Sequence, residues 1–220
     1  DSSSVLFDEE RRETTDAAIA AELRSLFDLP ESAPFYPARS GMAAFHGVFR
    51  SLQKHWAGRR KIWIQLGWLY VDTTRILESL NSAENRPVQL HNVLDLAALK
   101  QCLAEEGYRV AGIVTEVPTN PLVHTPDLEQ LRELANKYKV ALILDPTLVS
   151  PHNVNILEYS DLTINSLTKY AAAEADVMMG ALALNPGSRF YDDLLIELQG
   201  HGSPPGPGDA PGADGQLRPV

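Results

Sequence analysis

The feature that most constrains this chain is a pair of short strand-like runs between Val140 and Lys169, each stopped by polar residues. The first, Val140 to Leu144, halts at Asp145 with Pro146 directly behind it. The second, Leu162 to Asn165, halts at Ser166, Thr168 and Lys169. Short runs of this kind, bounded by turn formers, fit strands buried inside a sheet. In an open α/β sheet, ligands bind beyond the carboxyl ends of the strands. One acid, one lysine and the hydroxyls of Thr147, Ser166 and Thr168 would converge there on one crevice.

The remaining segments alternate in the same way. A helical pattern from Thr14 carries Ala18, Ile19, Leu23 and Leu26 on one face and ends before Pro30. Pro34 and Pro37 enforce an extended run, after which Ser40 can cap a helix starting at Gly41 or Met42. A helix opening on small residues leaves its first N–H groups free for a phosphate. Lys61 to Leu66 alternates and predicts a strand, with Gly67 to Tyr70 as its exit and a short helix from Asp72 to Leu80. Val88 to Leu90 is a brief strand, and Asp95 to Glu105 a helix with apolar Leu96, Leu99 and Leu103. Val110 to Thr115 is a strand leading into the turn-rich EVPTNP. Thr125 and Pro126 read as the N-cap and first-turn proline of a helix through Tyr138. Val177 to Leu184 and a helix from Ser188 to Leu198 complete the series.

Alternation of this length predicts an α/β fold, a mainly parallel sheet flanked by helices on both faces. Residues 1–34 are expected to form an N-terminal arm and helix, and 35–199 one large domain. Residues 200–220 are too rich in Gly and Pro to bury a core and are expected to be a flexible tail.

Composition narrows the function. The hydrophobic share of 44% supports a real core, and a net charge of −10 without a basic run argues against nucleic acid or an anionic membrane as partner. No apolar stretch approaches the roughly 20 residues of a membrane span. The acidic, serine-rich start is unlike a signal peptide, so a soluble cytoplasmic location is expected. Cys102 has no partner for an internal disulfide and reads as a small core residue. His46, His91, His124 and His152 lack ligand spacing, so no metal site is expected.

Three chemistries compete for Asp145 and Lys169. An apolar strand ending in D-x-T suggests an aspartyl phosphatase, but that chemistry wants a second acid where Thr147 stands. Ser166-Leu-Thr-Lys169 is formally S-x-x-K, yet the partner motifs of that acyl-enzyme class are absent and the serine follows a strand. The third is a pyridoxal phosphate site, in which a lysine condenses with the aldehyde and an acid pairs with the protonated pyridine nitrogen. Hydroxyls and helix-terminal N–H groups hold its phosphate, and an aromatic ring stacks on it. Asp145, Lys169, Ser166, Thr168, the Ser40-Gly41-Met42 turn and Tyr70 supply those parts.

The wording goes further. SGMAAF (40–45), LYVDTTRILE (69–78), TEVPTNPLVHTPDLEQLRELANKY (115–138), LILDPT (142–147), SDLTINSLTKY (160–170) and DVMMGALALNP (176–186) occur in this order. Together they resemble the Cys/Met-metabolism family of pyridoxal-phosphate enzymes, which contains cystathionine γ-synthase and γ-lyase. The resemblance covers about Phe35 to Leu198 and lies nearest the cystathionine γ-synthase-like branch. It implies the aspartate-aminotransferase-like fold type I and pyridoxal 5'-phosphate as cofactor. It also implies small amino-acid substrates and dimers that pair into tetramers.

Residue by residue, the resemblance makes Lys169 the cofactor-bearing lysine and the acid/base at the substrate's α and β carbons. Asp145 pairs with the pyridine nitrogen. Ser166 and Thr168, with the backbone of Gly41 and Met42, bind the phosphate. Tyr70 stacks on the ring and assists the leaving group. Asn120 bonds near the phenolic oxygen or the substrate carboxylate, and Thr147 sits beside the ring.

The implied reaction is γ-replacement on an O-acyl-homoserine by cysteine to give cystathionine, a step of transsulfuration and methionine biosynthesis. A γ- or β-lyase or a homoserine sulfhydrylase on the same scaffold is the enzymatic alternative. This chain departs from the family in four places. Tyr70-Val71-Asp72-Thr73 replaces a glycine-containing stretch, Ala171-Ala172-Ala173-Glu174-Ala175 replaces a glycine-rich loop, and the N-terminal tyrosine–x–arginine segment has no match. The Gly/Pro tail stands where a C-terminal small domain with a carboxylate-binding arginine is usual. C-terminal truncation, and with it an inactive fragment that keeps the fold, is the alternative from another class.

Overall fold

The computed structural model describes residues 18–19, 21–25, 27–79, 87–150, 153–171 and 176–199. The expectations for the arm before residue 18, Leu26, Leu80, His152, the 172–175 loop and the 200–220 tail lie outside them.

The strands are β1 (Phe35–Ala38), β2 (Ile62–Leu66), β3 (Val88–Leu90), β4 (Val110–Glu116), β5 (Ala141–Asp145), β6 (Leu162–Ser166) and β7 (Gly180–Leu184). They form one sheet in the order β1-β7-β6-β5-β4-β2-β3. Strands β3, β2, β4, β5 and β6 are parallel, and β7 runs against both of its neighbours, β6 and β1. The expected mainly parallel sheet is present. The helices are α1 (Gly41–Trp56), α2 (Val71–Ser79), α3 (Ala97–Glu106), α4 (Leu128–Tyr138) and α5 (Tyr191–Gln199).

Helices cover both faces, which is why the central strands are apolar on both sides. On one face Phe45, Phe49 and Leu52 of α1 and Leu194 and Leu198 of α5 pack against Trp63, Ile143, Leu162 and Leu182. On the other, Leu99 and Leu103 of α3 and Leu131 and Ala135 of α4 pack against Ile64, Ile113, Leu142 and Leu144. Each large side chain so buried contributes about 1.5–3 kcal/mol. The helical segment at 21–25 buries Leu23, which with Phe27 packs on Leu167, Met179 and Ala181.

Several local readings need correction. The alternation over Lys61 to Leu66 does not separate inside from outside, because all five residues of β2 are buried. Its polar member, Gln65, is satisfied by the Gly67 carbonyl (3.3 Å) and the Thr74 hydroxyl (3.3 Å). The extended run after Pro34 is a sheet strand, β1; an edge position tolerates Pro37 because one side of it needs no ladder bond. The N-cap of α4 is Asp127 rather than Thr125, since its carboxylate reaches the Gln130 N–H (2.9 Å). Strand β7 starts at Gly180 and not at Val177, and α5 starts at Tyr191 and not at Ser188. Among the described residues no helix is long and apolar enough to cross a membrane.

Strands β1, β2, β4, β5 and β6 all end at one edge of the sheet, and β7 begins there. Strand β3 lies on one side of β2 and β4 on the other, so the connections diverge at this edge. Such a switch point leaves a crevice.

Candidate active site

Helix α1 enters the crevice first. Ser40 caps it by accepting the Ala43 N–H (3.1 Å), and the Ala44 N–H reaches the Ser40 carbonyl (3.0 Å). The N–H groups of Gly41 and Met42 have no partner among the described residues. The helix end is pressed onto the sheet. A Cβ on Gly41 would lie 2.8 Å from Ser166 Cβ, and one on Gly180 would lie 2.3 Å from the Ser40 carbonyl. Glycine at both positions is what allows two free donors to sit directly over the ends of β6 and β7.

Asp145 closes β5. Its Oδ1 accepts both the Thr147 N–H (2.9 Å) and the Thr147 hydroxyl (2.5 Å). That hydroxyl in turn accepts the Ser166 N–H (2.9 Å), which stitches the exits of β5 and β6 together. Burial pushes the Asp145 carboxyl up to about 6, against the opposing pull of the two Thr147 bonds. A buried carboxylate without a cation is an expensive group to keep. Its charge fits a cationic ligand atom.

Strand β6 delivers the lysine. The turn after it closes with the Lys169 N–H donating to the Ser166 carbonyl (3.2 Å), and the Lys169 side chain is exposed. Among the described residues no carboxylate pairs with it. Thr168, expected on the phosphate, directs its hydroxyl at the backbone of Met179, donating to the carbonyl (3.2 Å) and accepting from the N–H (3.0 Å). Among the described residues Ser166 Oγ has no such engagement.

Tyr70 and Asn120 come from two other strand exits and meet through a residue the sequence reading passed over. Glu116, the last residue of β4, accepts the Tyr70 N–H at Oε1 and the Asn120 N–H at Oε2 (3.2 Å). It is 9% exposed and stands opposite Asp145 in the register of β4 and β5. Burial first, and the Asp145 charge second, push its carboxyl up to about 7, although the two N–H groups act the other way. The Tyr70 side chain is 46% exposed. A signal for Glu116 was present in the sequence: like Asp145, it is an acid closing an apolar strand.

The crevice thus sets a carboxylate at β5 against free N–H donors at α1, with a primary amine, hydroxyls and an aromatic ring on the intervening exits. That set suits an aromatic ligand with a cationic nitrogen, a phosphate and a carbonyl. The residues fit pyridoxal phosphate.

Relatives agree. The sequence pattern of the Cys/Met metabolism PLP-dependent enzymes matches residues 13–211. The L-2-amino-4-chloropent-4-enoate dechlorinase/desaturase of Streptantibioticus cattleyicolor is 37% identical over 204 residues, covering 91% of this chain and 40% of that protein. The cystathionine gamma-synthase of Neurospora crassa is 39% identical over 136 residues, 62% of this chain and 22% of that one. The structure of cystathionine gamma-lyase from yeast superposes with a TM-score of 0.68 at 26% identity, covering 90% of this chain and 47% of that one. The chain spans less than half the length of each. On its sequence, sheet order and crevice, this chain belongs to the Cys/Met-metabolism family of pyridoxal-phosphate-dependent enzymes.

Proposed function

We propose that the protein containing this chain carries out γ-replacement on an O-acyl-homoserine, with cysteine as the incoming thiol and cystathionine as product. The observation that carries the reading is the placement of a half-buried strand-end carboxylate, Asp145, on one strand and of Lys169 at the exit of the adjacent strand. Residues 35–199 form the cofactor-binding unit, working in the cytoplasm on amino-acid substrates as a dimer or tetramer.

When bound, pyridoxal phosphate supplies an electron sink for a carbanion at the substrate α carbon. Asp145 holds the ring nitrogen protonated, and Thr147 keeps that carboxylate in place. The free N–H groups of Gly41 and Met42 and the Ser166 hydroxyl receive the phosphate. Thr168 joins them by exchanging its bond to Met179. Lys169 would hold the aldehyde end of the cofactor, and its amine would serve as the acid/base at the substrate α and β carbons. Tyr70 covers the ring face and excludes water, and Asn120 orients the phenolic oxygen or the substrate carboxylate.

Elimination at the γ carbon and replacement there share every proton transfer until the thiol adds. The dechlorinase/desaturase relative, whose name places chlorine on carbon 4 of a 2-amino acid, keeps a γ-lyase as second reading. Full-length protein given O-acyl-homoserine with and without cysteine separates the two. Cystathionine formed at least tenfold faster than 2-oxobutanoate supports replacement. The reverse ratio in the presence of cysteine assigns the lyase.

A further inference from the structure

We propose that Glu116 is the positioning residue of this site: one carboxylate holds the Tyr70 turn and the Asn120 loop together, and the charge on Asp145 sets whether it holds both. The inference rests on the cofactor reading only for its last step.

Two elements far apart in the chain end on the same side chain. The β2–α2 turn donates the Tyr70 N–H to one oxygen of Glu116, and the loop after β4 donates the Asn120 N–H to the other. An ionised carboxylate accepts at both oxygens, whereas a protonated one presents an O–H to one of the two donors. Protonation therefore weakens the hold on one loop, at a part-buried N–H that loses its carboxylate acceptor. The groups that face Glu116 are these two amides and, from β5, the Asp145 carboxylate. Its carboxyl stands at about 7, so the switch between one loop and two falls at neutral pH.

Like charges on adjacent strand ends disfavour ionisation of both at once. A cation held at Asp145 offsets that charge and favours ionised Glu116. The protonated ring nitrogen of pyridoxal phosphate is such a cation. Cofactor capture and closure of the Tyr70 and Asn120 loops are then linked, and by reciprocity closure strengthens capture. Glu116 acts through Tyr70 and Asn120 rather than on the substrate.

The test reads amide proton resonances of Tyr70 and Asn120 by NMR across pH 5 to 9 on the cofactor-free chain. Both are expected to move through one shared midpoint near pH 7. Glu116→Gln is expected to abolish that midpoint, and Asp145→Asn to lower it by about one pH unit. Added pyridoxal phosphate is expected to lower it in the parent as well. Amides that fail to titrate in the parent, that titrate unchanged in Glu116→Gln, or that ignore Asp145→Asn overturn the proposal. A midpoint that responds to both substitutions but not to pyridoxal phosphate supports the positioning role and counts against the cofactor reading.

Discussion

Asp145→Asn is expected to make the cofactor-free chain more stable at neutral pH while weakening its hold on pyridoxal phosphate about 10- to 100-fold. Asparagine keeps the oxygen that accepts the two Thr147 bonds, so the stitch from β5 to β6 survives. What it removes is a buried charge. The folded state raises this carboxyl from 3.8 to about 6, so folding favours its protonated form. The stability that follows is fully present below pH 3.8 and is lost as pH rises through about 6. At about 1.4 kcal/mol per unit, the cost of ionised Asp145 at pH 8 is about 3 kcal/mol at most.

Glu116 adds a penalty of the same sign, which grows as pH rises and is complete above about pH 7. Urea denaturation is therefore expected to show the parent chain losing stability from pH 5 to pH 8, with a shallower decline in Asp145→Asn. The gain in that variant at pH 8 should be about 1–3 kcal/mol. A group kept at the expense of stability is one kept for binding. An Asn variant less stable than the parent at pH 8, or one that binds pyridoxal phosphate equally well, would show Asp145 to be structural.

Gly180→Ala carries the second large effect. The added Cβ would lie 2.3 Å from the Ser40 carbonyl and 2.5 Å from the Gly41 nitrogen, both of them backbone atoms. A long side chain in the way could turn aside, but a helix end can yield only by lifting off the sheet. The expected cost is about 2–3 kcal/mol of stability. Because the lifted atoms include the donors assigned to the phosphate, affinity for pyridoxal phosphate should fall at least about tenfold. Gly47→Ala in the middle of α1 is the control. Nothing lies within 4 Å of the added carbon. It should stabilise the chain by up to about 1 kcal/mol and leave cofactor affinity alone. A Gly180→Ala chain that binds normally would move the phosphate away from the start of α1.

Much of this was legible because fully buried parallel strands are apolar on both faces and stop abruptly where the sheet meets solvent. Asp145 and Lys169 stand out on that ground alone, and Ser40 marks the start of α1 by its capping chemistry. Glu116 did not stand out. It sits in the same stretch as two prolines, and its neighbour Asp145 is 29 residues away, brought alongside only by the register of β4 on β5. The Thr147 relay to Ser166 depends in the same way on β5 lying beside β6. Gly180 looked like a glycine inside the Val177 to Leu184 run until α1 was packed over it. Asp127 was overlooked as a cap because Thr125 and Pro126 offer a sound local alternative two residues earlier. For the Glu116–Asp145 neighbourhood, the Thr147 relay and the fit of Gly180 the missing information was tertiary, a pairing or a close approach; for Asp127 it was a choice between two local caps.

The most direct test of the account is the visible absorbance of the purified chain with added pyridoxal phosphate, beside Lys169→Ala. The account predicts a visible band in the parent that borohydride converts to a stable adduct on the peptide containing Lys169, and no such band in the variant. A folded parent without the band, or an adduct carried on another lysine, would contradict the assignment of this crevice as the cofactor site.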